Sequence, residues 1–149
     1  MNKMASEKEN EMELVIDATN AIAGRLAAYV AKQALNGRKV IILNSASAVI
    51  TGERQSIGKS YLQKRRRHGI SLSGPIFPTS AERILKRTIR GMLPHKQERG
   101  KTALKRIVCY NTIPEKFNGV KKSSFDAGRI GKHIKLGELA LMMKGRWEK

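Results

Sequence analysis

The stretch Gly52-Glu53-Arg54-Gln55-Ser56-Ile57-Gly58-Lys59-Ser60 comes nearest to known phosphate chemistry, since it follows an apolar run and ends in Gly-Lys-Ser. A Walker A loop sets four residues between its first glycine and that triplet. Here there are five, so the backbone amides would not converge on a phosphate. Asp17 ends an apolar run where open α/β sheets often place a ribose-binding carboxylate, but no GxGxxG follows, and capping or core anchoring is the expected role. His68, His95 and His133 fall at no metal-ligand spacing, with no cysteine or carboxylate cluster beside them. No Ser/His/Asp set or carboxylate pair stands out. No catalytic group, cofactor, metal or small-molecule substrate is therefore expected.

The cations are another matter. Residues 61–106 carry 13 Lys/Arg against only Glu82 and Glu98, within a chain of 30 Lys/Arg and 12 Asp/Glu. Lys64-Arg65-Arg66-Arg67-His68 is the densest run, at a helix end. In the helix expected over 80–90, Ala81, Ile84, Leu85, Thr88 and Ile89 share one side, while Arg83, Lys86, Arg87 and Arg90 fall within about 100° on the other. The loop Pro94-His95-Lys96-Gln97-Glu98-Arg99-Gly100-Lys101 adds a third basic element, with Gly91 and Gly100 as places where a nucleic-acid backbone would approach closely. Such self-repulsion is relieved by a polyanion and the release of its counterions. Arginine forks suit phosphates, and the aromatic content of 5% disfavours base stacking on an open platform, so a folded RNA read by phosphate and shape fits best.

Behind these residues the chain reads as α/β. Glu13 to Ala18 is a strand, Thr19 or Asn20 caps an alanine-rich helix ending at Gly37, and Lys39 to Leu43 is a strand apolar on both faces. That is a right-handed βαβ unit with parallel strands. Ala48 to Thr51 makes a short extra strand and Glu53 to about Arg67 a helix, with Ile57, Tyr61 and Leu62 inward, that Gly58 weakens. Thr79 and Glu82 form a capping box for the 80–90 helix, with Gly91 and Pro94 as its stop. A short helix over Lys101 to Arg106 feeds a strand at Ile107 to Tyr110, and turns follow at Asn111 to Pro114 and Asn118-Gly119. Residues 121–135 are extended and basic, and Leu136, Leu139, Ala140 and Met143 define a last helix anchored by Trp147. Three parts result: a flexible tail over 1–11, an α/β RNA-binding domain over 12–120, and a basic segment with a C-terminal helix over 121–149. Nothing approaches the roughly 18 apolar residues of a bilayer span, and the tail lacks a signal peptide's apolar stretch. Cys109, the single cysteine, suits a reducing cytosol.

Arg90-Gly91-Met92-Leu93-Pro94-His95-Lys96, with Arg99-Gly100, Ala103-Leu104 and Ile113-Pro114, resembles the ribosomal protein thirteen family of the large subunit. Asp17-Ala18, Gly24-Arg25-Leu26-Ala27, Ala31-Lys32 and Gly37 match its opening strand and helix, and Gly74-Pro75, Pro78 and Ser80 its centre. The likeness covers residues 13–115 and leans to the archaeal branch. Where the family usually has a basic residue after Gly-Pro, this chain has Ile76-Phe77. The resemblance implies a single three-layer α/β/α domain around a small, mainly parallel sheet, with basic extensions. It also implies a non-catalytic protein in the cytoplasmic ribosome, bound to large-subunit (23S-type) ribosomal RNA and neighbouring ribosomal proteins, with no membrane. Carried over, Arg90, His95, Lys96, Arg99 and Lys101 would contact phosphates; charge geometry adds Lys64, Arg65, Arg66, Arg67, Arg83, Lys86 and Arg87. The competing readings are a free-standing RNA chaperone and a nucleotide-binding enzyme using Gly52 to Ser60.

Overall fold

The computed structural model describes residues 13–66, 76–125, 128 and 130–144. The expectations placed on the 1–11 tail, Arg67, His68, Gly74-Pro75 and Trp147 lie outside them.

β1 (Glu13–Asp17), α1 (Ala23–Leu35) and β2 (Lys39–Leu43) form the βαβ unit, with Glu13 opposite Lys39 and Asp17 opposite Leu43 in a parallel ladder. A 3-10 turn (Ser45–Ser47) leads to β3 (Val49–Thr51) and α2 (Arg54–Arg66). Next come α3 (Ala81–Gly91), α4 (Glu98–Lys105) and β4 (Ile107–Cys109). A second 3-10 turn (Glu115–Phe117), β5 (Ser123–Ser124), β6 (His133–Lys135) and α5 (Leu136–Lys144) follow. The main sheet has the parallel order β4-β2-β1-β5, and β3 pairs antiparallel with β6.

β2 is apolar on both sides because both its faces are covered. Val40 and Ile42 join the large core built from Leu26 and Val30 of α1, Leu85 and Ile89 of α3, and Leu139 and Met143 of α5. Ile41 and Leu43 point the other way and, with Val15, pack under Tyr110, Ile113 and Phe117. The single α/β domain on a mainly parallel sheet is as expected. Its third layer is supplied by the segment after β4 with one 3-10 turn, and the buried apolar side chains of the described α-helices all join the first core.

Several ends form differently from their sequence signals. Neither Thr19 nor Asn20 caps α1; the cap position is Ile22, with no side-chain bond. Thr19 instead turns back, donating from its amide (3.0 Å) and hydroxyl (2.6 Å) to Asp17 Oδ1, which also accepts from Asn44 Nδ2 at 3.0 Å. Asp17 therefore ties together the carboxyl ends of β1 and β2. Burial pushes its carboxyl up, but the Thr19 and Asn44 bonds and the Lys122 charge outweigh this and hold it below its usual value. At the far end of α1, Gly37 (φ 95°) closes a Schellman motif, with Gly37 N–H on the Ala34 carbonyl and Arg38 N–H on that of Gln33.

The capping box on α3 does not form. The helix starts at Ala81 with Ser80 at the cap position, so Glu82 falls one place too early to reach back to it. The acceptor comes from across the fold: Asn111 Oδ1 takes the Glu82 N–H at 3.0 Å, a bond 29 residues away in sequence. Asn111→Ala is expected to cost about 1 kcal/mol, the usual value of a lost N-cap, while Asn111→Asp keeps the acceptor and loses far less. Urea denaturation of the two variants measures the difference. Gly91 does not stop α3 but lies inside it; the Met92 and Leu93 amides tighten onto the Ile89 and Arg90 carbonyls before Pro94 prevents continuation.

Gly58-Lys59-Ser60 sits within α2 and not in a loop. Gly58 is buried where α2 meets α5, and a Cβ there would lie 3.5 Å from Met142 Sδ, an ordinary contact, so the position does not demand glycine. The helix leaves no open backbone cradle for a phosphate at this triplet.

Candidate nucleic-acid interface

α3 presents its cations as its spacing requires, since Ile84, Leu85 and Ile89 are buried and Arg83 and Arg90 are exposed on the opposite side. The turns after α3 carry exposed Lys96, and α4 carries exposed Arg99 and Lys101. Lys101 is engaged by Glu98 at 3.7 Å, an exposed pair of small energetic weight. No carboxylate among the described residues pairs with Arg83, Arg90, Lys96 or Arg99. Lys59 and Arg66 line a shallow groove along α2 with Ser56, Ser60 and Gln63, and Arg66 is exposed there.

Other members of the expected set are already occupied inside the protein. Arg65 Nη1 donates to the Met143 carbonyl at 2.6 Å, satisfying the last turn of α5. Arg87 is half-buried, with Nη1 on the Ile76 carbonyl at 3.1 Å and its guanidinium 3.9 Å from the centre of the Phe77 ring. It pins the 76–78 segment to α3 and does not stand free on the stripe. His95 is half-buried, its Nδ1 3.3 Å from the Leu93 carbonyl. Lys64 is exposed, 5.1 Å from the centre of the Tyr61 ring. Arg67 lies outside the described residues.

Gly100 is not available to a nucleic-acid backbone. It is buried, and a Cβ built on it would fall 2.1 Å from the Pro94 carbonyl oxygen. Its missing side chain lets the start of α4 press against the Pro94 turn, which sets the placement of His95, Lys96 and Arg99. Gly91, by contrast, is exposed, with nothing within 4 Å of the same construction.

The fold also assembles cations that the sequence pattern did not single out. Lys32 of α1 and Arg106 after α4 share with Arg99 a groove of about 880 Å³, whose lining includes the exposed apolar Leu35 and Met92. Arg106 reaches the Ala34 carbonyl at 3.4 Å. Lys32 belongs to a helix whose composition looks structural, so no local signal marks it.

Lys86 is half-buried and acts electrostatically on Cys109. Burial pushes the Cys109 thiol up to about 12; Lys86 opposes this and Glu82 reinforces it. Because only the thiolate is nucleophilic, native protein at pH 8 is expected to react with iodoacetamide roughly a hundredfold or more slowly than unfolded protein. Mass spectrometry of timed aliquots gives the ratio; equal rates would refute the protection of this half-buried thiol.

Among the described residues no helix is long and apolar enough to cross a membrane. A family model described as Ribosomal protein L13 matches residues 11–116. The large ribosomal subunit protein uL13 of Thermoplasma volcanium is 46% identical over 112 residues, covering 75% of this chain and 82% of the relative. That of Archaeoglobus fulgidus is 44% identical over 105 residues (70% and 67%), and that of Methanosarcina barkeri 40% over 139 residues (89% and 99%). The family is structural and non-enzymatic, which accords with the Gly58-Lys59-Ser60 triplet folded into helix. The exposed cations of α3 and α4, the βαβ core beneath them and the match over most of the chain lead to one assignment: this chain belongs to the ribosomal protein L13 family, in its archaeal branch.

Proposed function

We propose that the chain is a structural constituent of the large ribosomal subunit in the cytoplasm, binding large-subunit ribosomal RNA and stabilising its fold during assembly. The observation that carries this reading is the group of exposed cations Arg83, Arg90, Lys96 and Arg99, spread from α3 to α4 with no carboxylate partner among the described residues. Unpaired cations on a rigid frame hold adjacent RNA segments together by neutralising phosphates that would repel one another. Lys101, Arg66 and Lys64 are further exposed cations, and His95, Lys86, Arg65 and Arg87 are half-buried. Arg67 belongs to the same run by sequence. Neighbouring ribosomal proteins are the other partners, supported by the exposure of Leu35 and Met92 in the groove beside Arg99.

Sedimentation of a lysate through a sucrose gradient after a wash at about 0.5 M salt tests the reading, since weakly held electrostatic binders leave under those conditions. The expected result is recovery with the large subunit in near-equal amount to its RNA. Recovery at the top of the gradient would refute residence in the subunit and favour a free-standing RNA chaperone.

A further inference from the structure

Between α2 and α3 lies a cleft of about 170 Å³ whose lining includes Tyr61, Lys64, Phe77 and Arg87. Each of its two aromatic rings is covered by a cation: Lys64 Nζ is 5.1 Å from the Tyr61 ring centre, and Arg87 Cζ is 3.9 Å from that of Phe77. The Arg87 guanidinium is held there by its bond to the Ile76 carbonyl. Composition argued against stacking because aromatic residues are scarce, yet folding brings two of them to one place from positions 16 residues apart.

Aromatic rings and guanidinium planes are the surfaces on which unstacked RNA bases rest. The volume is well under the roughly 300–1,000 Å³ of a pocket for a drug-sized ligand, and suits a single planar ring. Thr88, also in the lining, donates its hydroxyl proton to the Ile84 carbonyl at 3.1 Å. Its oxygen is left with lone pairs only, able to accept an N–H from a base edge. Lys64 and Arg87 supply positive charge for the phosphates on either side of such a base. Contacts to phosphates alone would need neither ring nor cleft.

We propose that this cleft receives one base extruded from the RNA, stacked against Tyr61 and the Arg87–Phe77 pair, with its edge on Thr88. The inference rests on the RNA-binding reading above and adds to it a contact with a base.

Purified large subunits containing the protein are irradiated with short-wave ultraviolet light, digested with ribonuclease and protease, and searched for nucleotide adducts. An adduct on Tyr61 or Phe77 is expected. In parallel, Tyr61→Leu is expected to weaken binding to large-subunit ribosomal RNA about tenfold while leaving the slope of log affinity against log salt unchanged, because stacking releases no counterions. Absence of an adduct at both rings overturns the proposal, as does a cross-link there to a neighbouring polypeptide. A folded Tyr61→Leu protein with wild-type affinity overturns it too, while salt-dependent binding by the wild type leaves the phosphate reading standing. Failure of the wild type to bind the RNA at all removes both. Should Tyr61→Leu not fold, the adduct in wild-type subunits decides.

Discussion

Gly100→Ala is expected to destabilise the protein by about 3 kcal/mol or more, at the upper end of what overpacking a close-packed site costs. A Cβ 2.1 Å from the Pro94 oxygen and 2.4 Å from its carbonyl carbon overlaps backbone, and no rotamer change in a flexible side chain can relieve that. Intrinsic preference works in the opposite direction. Gly100 is helical, and alanine in a helix interior is favoured over glycine by about 1 kcal/mol, so a loss of stability isolates the clash. At this chain length the melting temperature should fall by roughly 6–12 °C. Gly91→Ala is the control, since nothing lies within 4 Å of its added carbon. Thermal denaturation by circular dichroism compares the two, and an unchanged melting temperature for Gly100→Ala would mean that the Pro94 turn yields freely. The Pro94 turn leads into His95 and Lys96, and Arg99 precedes Gly100, so a surviving variant should also bind RNA more weakly.

Reversing Arg83 and Arg90 together should have the largest effect on binding. Both are exposed on the outer face of α3, without carboxylate partners among the described residues, so Arg83→Glu with Arg90→Glu should leave the far-ultraviolet dichroism native. If the wild type neutralises six phosphates, log affinity falls against log salt with a slope of roughly −4 to −5. Losing two contacts should make the slope shallower by about 1.5 and reduce affinity about a hundredfold near physiological salt. Titrations of labelled ribosomal RNA at several salt concentrations measure both quantities. A wild-type slope near zero would refute phosphate neutralisation as the source of affinity. Arg87 is the wrong residue for this experiment, although it shares the stripe: Arg87→Glu would also release the Ile76 carbonyl and uncover Phe77, mixing folding with binding.

The sequence by itself determined whatever depends on neighbours a few residues apart. The βαβ unit, the doubly buried β2, the Gly37 stop and the division of α3 into an apolar and a cationic face all follow from periodicity and local backbone preference. The family was legible for a related reason, because Arg90 to Lys96 is a contiguous stretch whose residue order carries the likeness. Tertiary structure decided everything that depends on long-range approach. Asn111 caps α3 from 29 residues away where Thr79 and Glu82 looked sufficient, because the start of the helix is set by packing of Ala81 and Ile84 and not by the capping pattern. Gly100 looked like a contact point for RNA and proved to be the clearance for Pro94, since a glycine's neighbours in space leave no mark on its neighbours in sequence. Arginines with equal charge were sorted by their surroundings: Arg83 and Arg90 face solvent, while Arg65 and Arg87 spend donors on backbone carbonyls. Charge and spacing said where cations would be dense; only the packed chain decided which of them remain free for an anion and which already hold the protein together.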